Sequence, residues 1–185
     1  EQASQAALGE YNTEDDQFQM AYRAKEPDAV AAYNEMVLAR SEHPTEGFQQ
    51  NFRIAYNPDS SELIVEYDQP EVQAIPKEAE HRYIKTKDAI ESKARKPAKI
   101  KRLYQDIVAS IALRTLHELF EAGQADTLAL ATFNGMVDTH DPTSGREVRA
   151  PIVSVRAPKM DFLGLRLEKV DKLACLRNLG AQVSN

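Results

Sequence analysis

Residues 97–123 read PAKIKRLYQDIVASIALRTLHELFEAG, and the spacing of their apolar side chains decides the fold. Ile100, Leu103, Tyr104, Ile107, Val108, Ile111, Ala112, Leu116, Leu119 and Phe120 recur every three or four residues, the period of a helix with one buried stripe. At ~1.5 Å per residue the stretch makes a rod of roughly 39 Å. One short hairpin cannot cover it, so most of the chain is expected to lie against it.

The bulk properties agree with a chain that buries a core unaided. It has 185 residues, 42% of them hydrophobic and 28% charged, which is enough for one domain or a domain with a helical appendage. Every apolar run is short, so a membrane partner is not expected. A single cysteine, Cys175, excludes an internal disulfide and a cysteine-rich zinc site, and fits a reducing cytoplasm. His43, His81, His117 and His140 show no ligand spacing, so neither a metal nor another cofactor is expected. The net charge of -6 argues against nonspecific nucleic-acid binding by the chain as a whole. The chain opens on Glu1 without a signal-peptide pattern and reads as a piece of a longer protein.

Outward from the helix, residues 1–13 carry no periodic pattern and read as a linker or frayed end. Residues 14–47 are expected to form a helical hairpin. Its first helix runs from Glu14 to Ala24, and its second starts at Pro27, where proline suits the first helical position. Residues 48–185 are expected to form the α+β domain proper. Phe52, Ile54 and Tyr56 alternate, as do Leu63, Val65 and Tyr67 after the turn Asn57-Pro58-Asp59-Ser60-Ser61, which predicts a β-hairpin. Val72–Ile75 and His81–Lys85 read as further extended segments. A second hairpin pairs residues 127–139 with 148–155 across Asp141-Pro142-Thr143-Ser144-Gly145. Lys159 to Phe162 reads as a helical turn, and Leu163, Leu165 and Leu167 as a short strand. Asp171 reads as the N-cap of a helix ending at Gly180, with Cys175 in its core face. The expected fold is therefore α+β: an antiparallel sheet of about five to six strands on one long helix, entered through a helical hairpin.

Charge is segregated along the chain. Residues 1–50 hold ten acidic side chains against three basic ones. By contrast Lys85, Lys87, Lys93, Arg95, Lys96, Lys99, Lys101 and Arg102 face only Asp88 and Glu91 in their stretch. These cations lie before and on the first turn of the long helix. They are candidates for phosphate contact, for pairing with the acidic N-terminal segment, or for plain solvation. Two other patterns carry less. Pro58-Asp59 with Glu91-Ser92-Lys93 matches the PD…ExK string of Mg²⁺-dependent nucleases, but Asp59 falls in a turn and the second element in a polar stretch. His117, next to Glu118 and one turn after Arg114, reads as a boundary residue rather than an acid–base group.

Five strings, AYNPDSSELIVEY (55–67), RYIKTKD (82–88), IALRTLHELF (111–120), FNGMVD (133–138) and ACLR (174–177), resemble the region upstream of the nuclease domain in bacterial Mrr-like restriction proteins. The likeness spans about residues 18–184 in the same order. It implies a bacterial, cytoplasmic role in DNA restriction and defence, as a non-catalytic companion that contacts duplex DNA or positions the nuclease domain of the same chain. Cleavage and Mg²⁺ would belong to that other domain, so no catalytic residue carries over. The rival expectation is a structural module that makes a homo-oligomer, and a weaker one a small-ligand sensor.

Overall fold

The computed structural model of the chain describes residues 14–41, 50–84, 88–124 and 126–184. Helix α1 (14–23) and helix α2 (Pro27–Ala39) form the expected hairpin, with Pro27 opening α2 and Asp28 in its first turn. Strands β1 (Phe52–Asn57) and β2 (Glu62–Asp68) pair antiparallel. A two-stranded ribbon follows, β3 (Glu78–Ile84) with β4 (Ala89–Ala94). The long helix is α3 (Pro97–Ala122). Then come β5 (Leu130–His140), β6 (Glu147–Pro158), α4 (Lys159–Leu163), α5 (Lys172–Asn178) and the short β7 (Gln182–Val183). Residues 1–13 and 42–49 of the expected linker and hairpin lie outside the described residues.

The class is α+β, as expected, but the sheet is mixed rather than antiparallel. Its five strands run in the order β1-β2-β5-β6-β7, and β2 pairs with β5 in parallel, Glu62 opposite Leu130 and Asp68 opposite Met136. The two hairpins therefore meet side by side through their middle strands, with α3 in the crossover. Inner-face positions Leu63, Val65, Tyr67, Ala131, Phe133, Val153, Val155 and Ala157 are all buried. They pack with Val108, Ala112, Leu116, Leu119 and Phe120 of α3 and with Val30 and Leu38 of α2 in one core. Each fully buried aliphatic or aromatic side chain there contributes about 1.5–3 kcal/mol.

Other expectations need correction. Val72–Ala74 is a single 3₁₀ turn instead of a strand, confined between Pro70 and Pro76. Glu91-Ser92-Lys93, read as lying in a polar stretch, belong to β4 because β3 supplies their backbone partners. Leu163 ends α4, and Leu167 begins a 3₁₀ turn, so the alternating leucines make no strand. The stripe of α3 is deeply buried only from Val108 onward, while Ile100, Leu103, Tyr104 and Ile107 are half-buried. Asp171 does cap α5, its carboxylate accepting the Ala174 N–H at 2.9 Å, and Gly180 follows with φ 83°.

The hairpin helices close the C-terminal end of α3, where backbone carbonyls lack helical partners. Tyr33 donates its hydroxyl to the Ala122 carbonyl at 3.1 Å. The Tyr22 hydroxyl accepts from the Gln124 N–H at 3.2 Å and from Thr127 at 2.8 Å, its ring 4.7 Å from that of Tyr33. At the opposite end of β2, Gln69 lies across Gly135: a β-carbon there would meet Val153 Cγ1 at 2.6 Å and Gln69 Cγ at 2.9 Å. The register shifts immediately after Gly135.

Two stability differences follow. Leu116→Ala, deep in the core, should cost ~2–5 kcal/mol, whereas Leu103→Ala should cost markedly less; urea unfolding of both variants measures the contrast, and equal losses would contradict the burial gradient along α3. Gly135→Ala should cost ~1–3 kcal/mol by overpacking, read from the shift in denaturation midpoint.

Candidate nucleic-acid interface

The ribbon and the start of α3 meet at a junction built by Arg95. Its backbone N–H donates to the Lys77 carbonyl at 2.7 Å and its guanidinium Nη1 to the Pro76 carbonyl at 3.1 Å, which ties the end of β4 to the start of β3. Arg95 is thus a half-buried structural residue, although its Nε is buried with no partner. Lys96 occupies the N-cap position, no side chain caps the helix, and the first turn contains no acidic residue. Pro97 has no N–H and the Lys99 N–H donates to the Lys96 carbonyl at 2.9 Å, so the positive end of the helix dipole, rather than a set of free donors, coincides with Lys96 and Lys99.

Lys93, Lys96, Lys99, Lys101 and Arg102 are exposed, and among the described residues none forms an ion pair. Lys99 and Arg102 line a groove between α3 and α5, and Lys101 a second one beside it; the grooves share Gln105 and Leu173. Lys85 and Lys87 lie outside the described residues. Among the described residues the ribbon itself pairs with no strand of the main sheet. Tyr83 on β3 is 55% exposed and donates to Asp88 at 2.5 Å.

Among the described residues, the acidic hairpin does not cover these cations. Its described residues, 14–41, dock at the other end of α3: Ser41 donates to Glu118 at 2.8 Å, and Tyr33 reaches Ala122. From Arg102 to Glu118 the helix rises roughly 24 Å. The nuclease-like string is also split. Asp59 lies in the β1–β2 turn, its N–H held by Asn57 Oδ1 at 3.0 Å, and the ribbon leaves the opposite end of β2. Glu91 to Lys93 does lie on a strand, but in the other sheet. Arg114 pairs with Glu118 at 2.7 Å, and exposed His117 faces Glu121 at 3.5 Å. Among the described residues no group of three or more His, Cys, Asp or Glu side chains is placed to hold a metal. Burial pushes the Cys175 thiol pKa up, away from the reactive thiolate.

A polar network on the sheet's outer face was not anticipated from sequence. Arg156 grips Glu62 with both Nε (2.9 Å) and Nη2 (3.0 Å), Thr132 donates to the same carboxylate at 2.7 Å, Ser154 donates to Asn134 at 2.7 Å, and Arg149 pairs with Asp68. Glu62, Asp68, Thr132, Asn134, Ser154 and Arg156 are the alternate positions of strands whose other face is apolar, so period two marks them as outward, whereas Arg149 has the parity of Val153 and Val155 and joins them beyond the register shift after Gly135. Their pairing depends on register, which the sequence does not display. The Arg156 hydrogen bonds, opposed in part by desolvation, hold the Glu62 carboxyl below its ordinary 4.5.

Neither a family model, nor a curated protein, nor a solved structure matches the chain.

The depressed Glu62 pKa gives a signed pH dependence. Its contribution is present in full above the ordinary carboxylate value and is lost as pH falls from there through the lower folded value. Glu62→Gln should therefore show a shallower loss of melting temperature on acidification below about pH 4.5 than the wild type, with no such difference in slope near neutrality; parallel curves throughout would remove Glu62 from the linkage.

Proposed function

We propose that this domain is the non-catalytic companion of an Mrr-like DNA restriction endonuclease, which contacts duplex DNA through the junction of β4 and α3 and so positions the nuclease domain of the same chain. One observation carries the reading: Lys93, Lys96, Lys99, Lys101 and Arg102, exposed and unpaired among the described residues, concentrate beside an uncapped helix N-terminus. The described residues of the acidic hairpin, 14–41, dock at the other end of the helix, and none of them competes with phosphates for these side chains. The separate two-stranded ribbon adds a second argument, because a ribbon of this kind fits the major groove of B-form DNA. Bond cleavage and Mg²⁺ belong, on this reading, to the nuclease domain, and the site of action is the bacterial cytoplasm.

The rival reading is an assembly module that contacts no DNA and makes a homo-oligomer. Half-buried Ile100, Leu103 and Ile107 on the same end of α3 favour it as the alternative.

Duplex binding measured by fluorescence anisotropy over a salt series separates the two. The wild-type chain should bind at low salt, and changing Lys93, Lys96 and Lys99 together to Gln should reduce the slope of log K against log salt by ~0.9 for each phosphate no longer neutralised. Absence of binding at low salt, or an unchanged slope, would overturn the DNA reading. Sedimentation equilibrium tests the alternative, for which a strict monomer is the adverse result.

A further inference from the structure

We propose that the seam between α3, α5 and β6 is a binding site for a small amphipathic anion, a carboxylate carried on a short hydrocarbon chain. The groove is about 220 Å³, many times the ~15 Å³ that a single water requires. Its walls include Val108 and Ala109 of α3, Val153 of β6 and Leu176 of α5, all buried in the core, so the interior selects hydrocarbon. Lys101 and Tyr104 stand on the same stretch of α3 and line the same groove. Lys101 is exposed and has no carboxylate partner among the described residues, and its apolar stem can lie along the wall with the ammonium at the mouth. The adjoining groove brings Lys99 and Arg102.

Both acidic groups that line the adjoining groove are already engaged. Asp106 pairs with Lys172 at 3.2 Å, and Asp171 accepts the Ala174 N–H. Glu71 acts on Tyr104 from outside: burial first, and that carboxylate second, keep the phenol protonated and thus a hydrogen-bond donor. The site therefore offers one unpaired cation and a hydroxyl donor above an apolar floor. A neutral lipid would leave the cation unused, and a compact inorganic anion would leave the floor empty. A ligand seated here would touch three elements distant in sequence and so tie α5 to α3. This inference shares Lys101 with the DNA reading but rests on the groove itself, and needs no nucleic acid to test.

Isothermal titration of the full chain with decanoate below its micellar range should show one saturable site, with decanol at least tenfold weaker. Lys101→Glu should weaken decanoate tenfold or more and leave decanol unchanged. Leu173→Trp, which places a bulkier ring in the groove, should abolish both, with circular dichroism melting curves confirming that each variant is folded. No saturable heat with decanoate, equal affinity for decanol, or indifference to either substitution in a folded variant would overturn the proposal. Retained DNA binding in that event would leave the proposed function standing.

Discussion

Two strands that run parallel cannot be joined by a hairpin, and the pairing of β2 with β5 imposes that condition on everything between them. The chain must travel back along the sheet before β5 can begin, and α3 is the element that returns. The seven residues of β2 extend roughly 23 Å, and the part of α3 from Val108 to Phe120 covers nearly that length. The helix is longer than the strand it returns along. Its surplus is the part before Val108, and there the apolar stripe is only half covered while the polar side chains reach solvent. The same geometric excess thus produces both the grooves against α5 and the exposed cations.

The ends of α3 are treated in opposite ways. At the C-terminal end, Tyr22 and Tyr33 convert unpartnered backbone and loop groups into hydrogen bonds, and this is what fastens the acidic hairpin there. At the N-terminal end nothing caps the helix, and Lys96 occupies the position where Ser, Thr, Asp or Asn would accept a backbone N–H. An intrinsically less favoured terminus is retained at the surface where positive charge is densest. That combination opposes the helix dipole unless an anion arrives, which gives the interface a physical reason to be sought at this end.

Much of the scaffold was legible in the sequence. Periodicity located α3 and both hairpins, and the residue types at Asp171 and Gly180 announced the limits of α5. What stayed hidden was long-range. Nothing in Glu62–Asp68 or Leu130–His140 states that they lie side by side, because neighbouring strands are chosen by packing rather than by local preference. The strand Ala89–Ala94 has a weak pattern of its own and is defined by its partner. The leucines at 163, 165 and 167 alternate, yet α4 and the following turn direct them by helical geometry. For the candidate interface, the charge run gave composition but not position: Arg95 is structural, Lys101 lines a different groove from Lys99 and Arg102, and Lys85 and Lys87 lie outside the described residues. The outer-face network required the register itself.

The margins of the sheet carry a last consequence. On one side α2 packs along β1. On the other, β7 pairs with Val153 and Ser154, so that among the described residues β6 is the outermost strand over most of its length. That strand contains Pro151, which has no N–H to offer, and carries Arg149 and Arg156 beside it. Short margins, proline and charge are the devices by which sheets resist accretion of foreign strands. At this margin the main sheet is therefore poorly suited to backbone-to-backbone growth, and an association formed there must be written in side chains, where it can be selective and reversible.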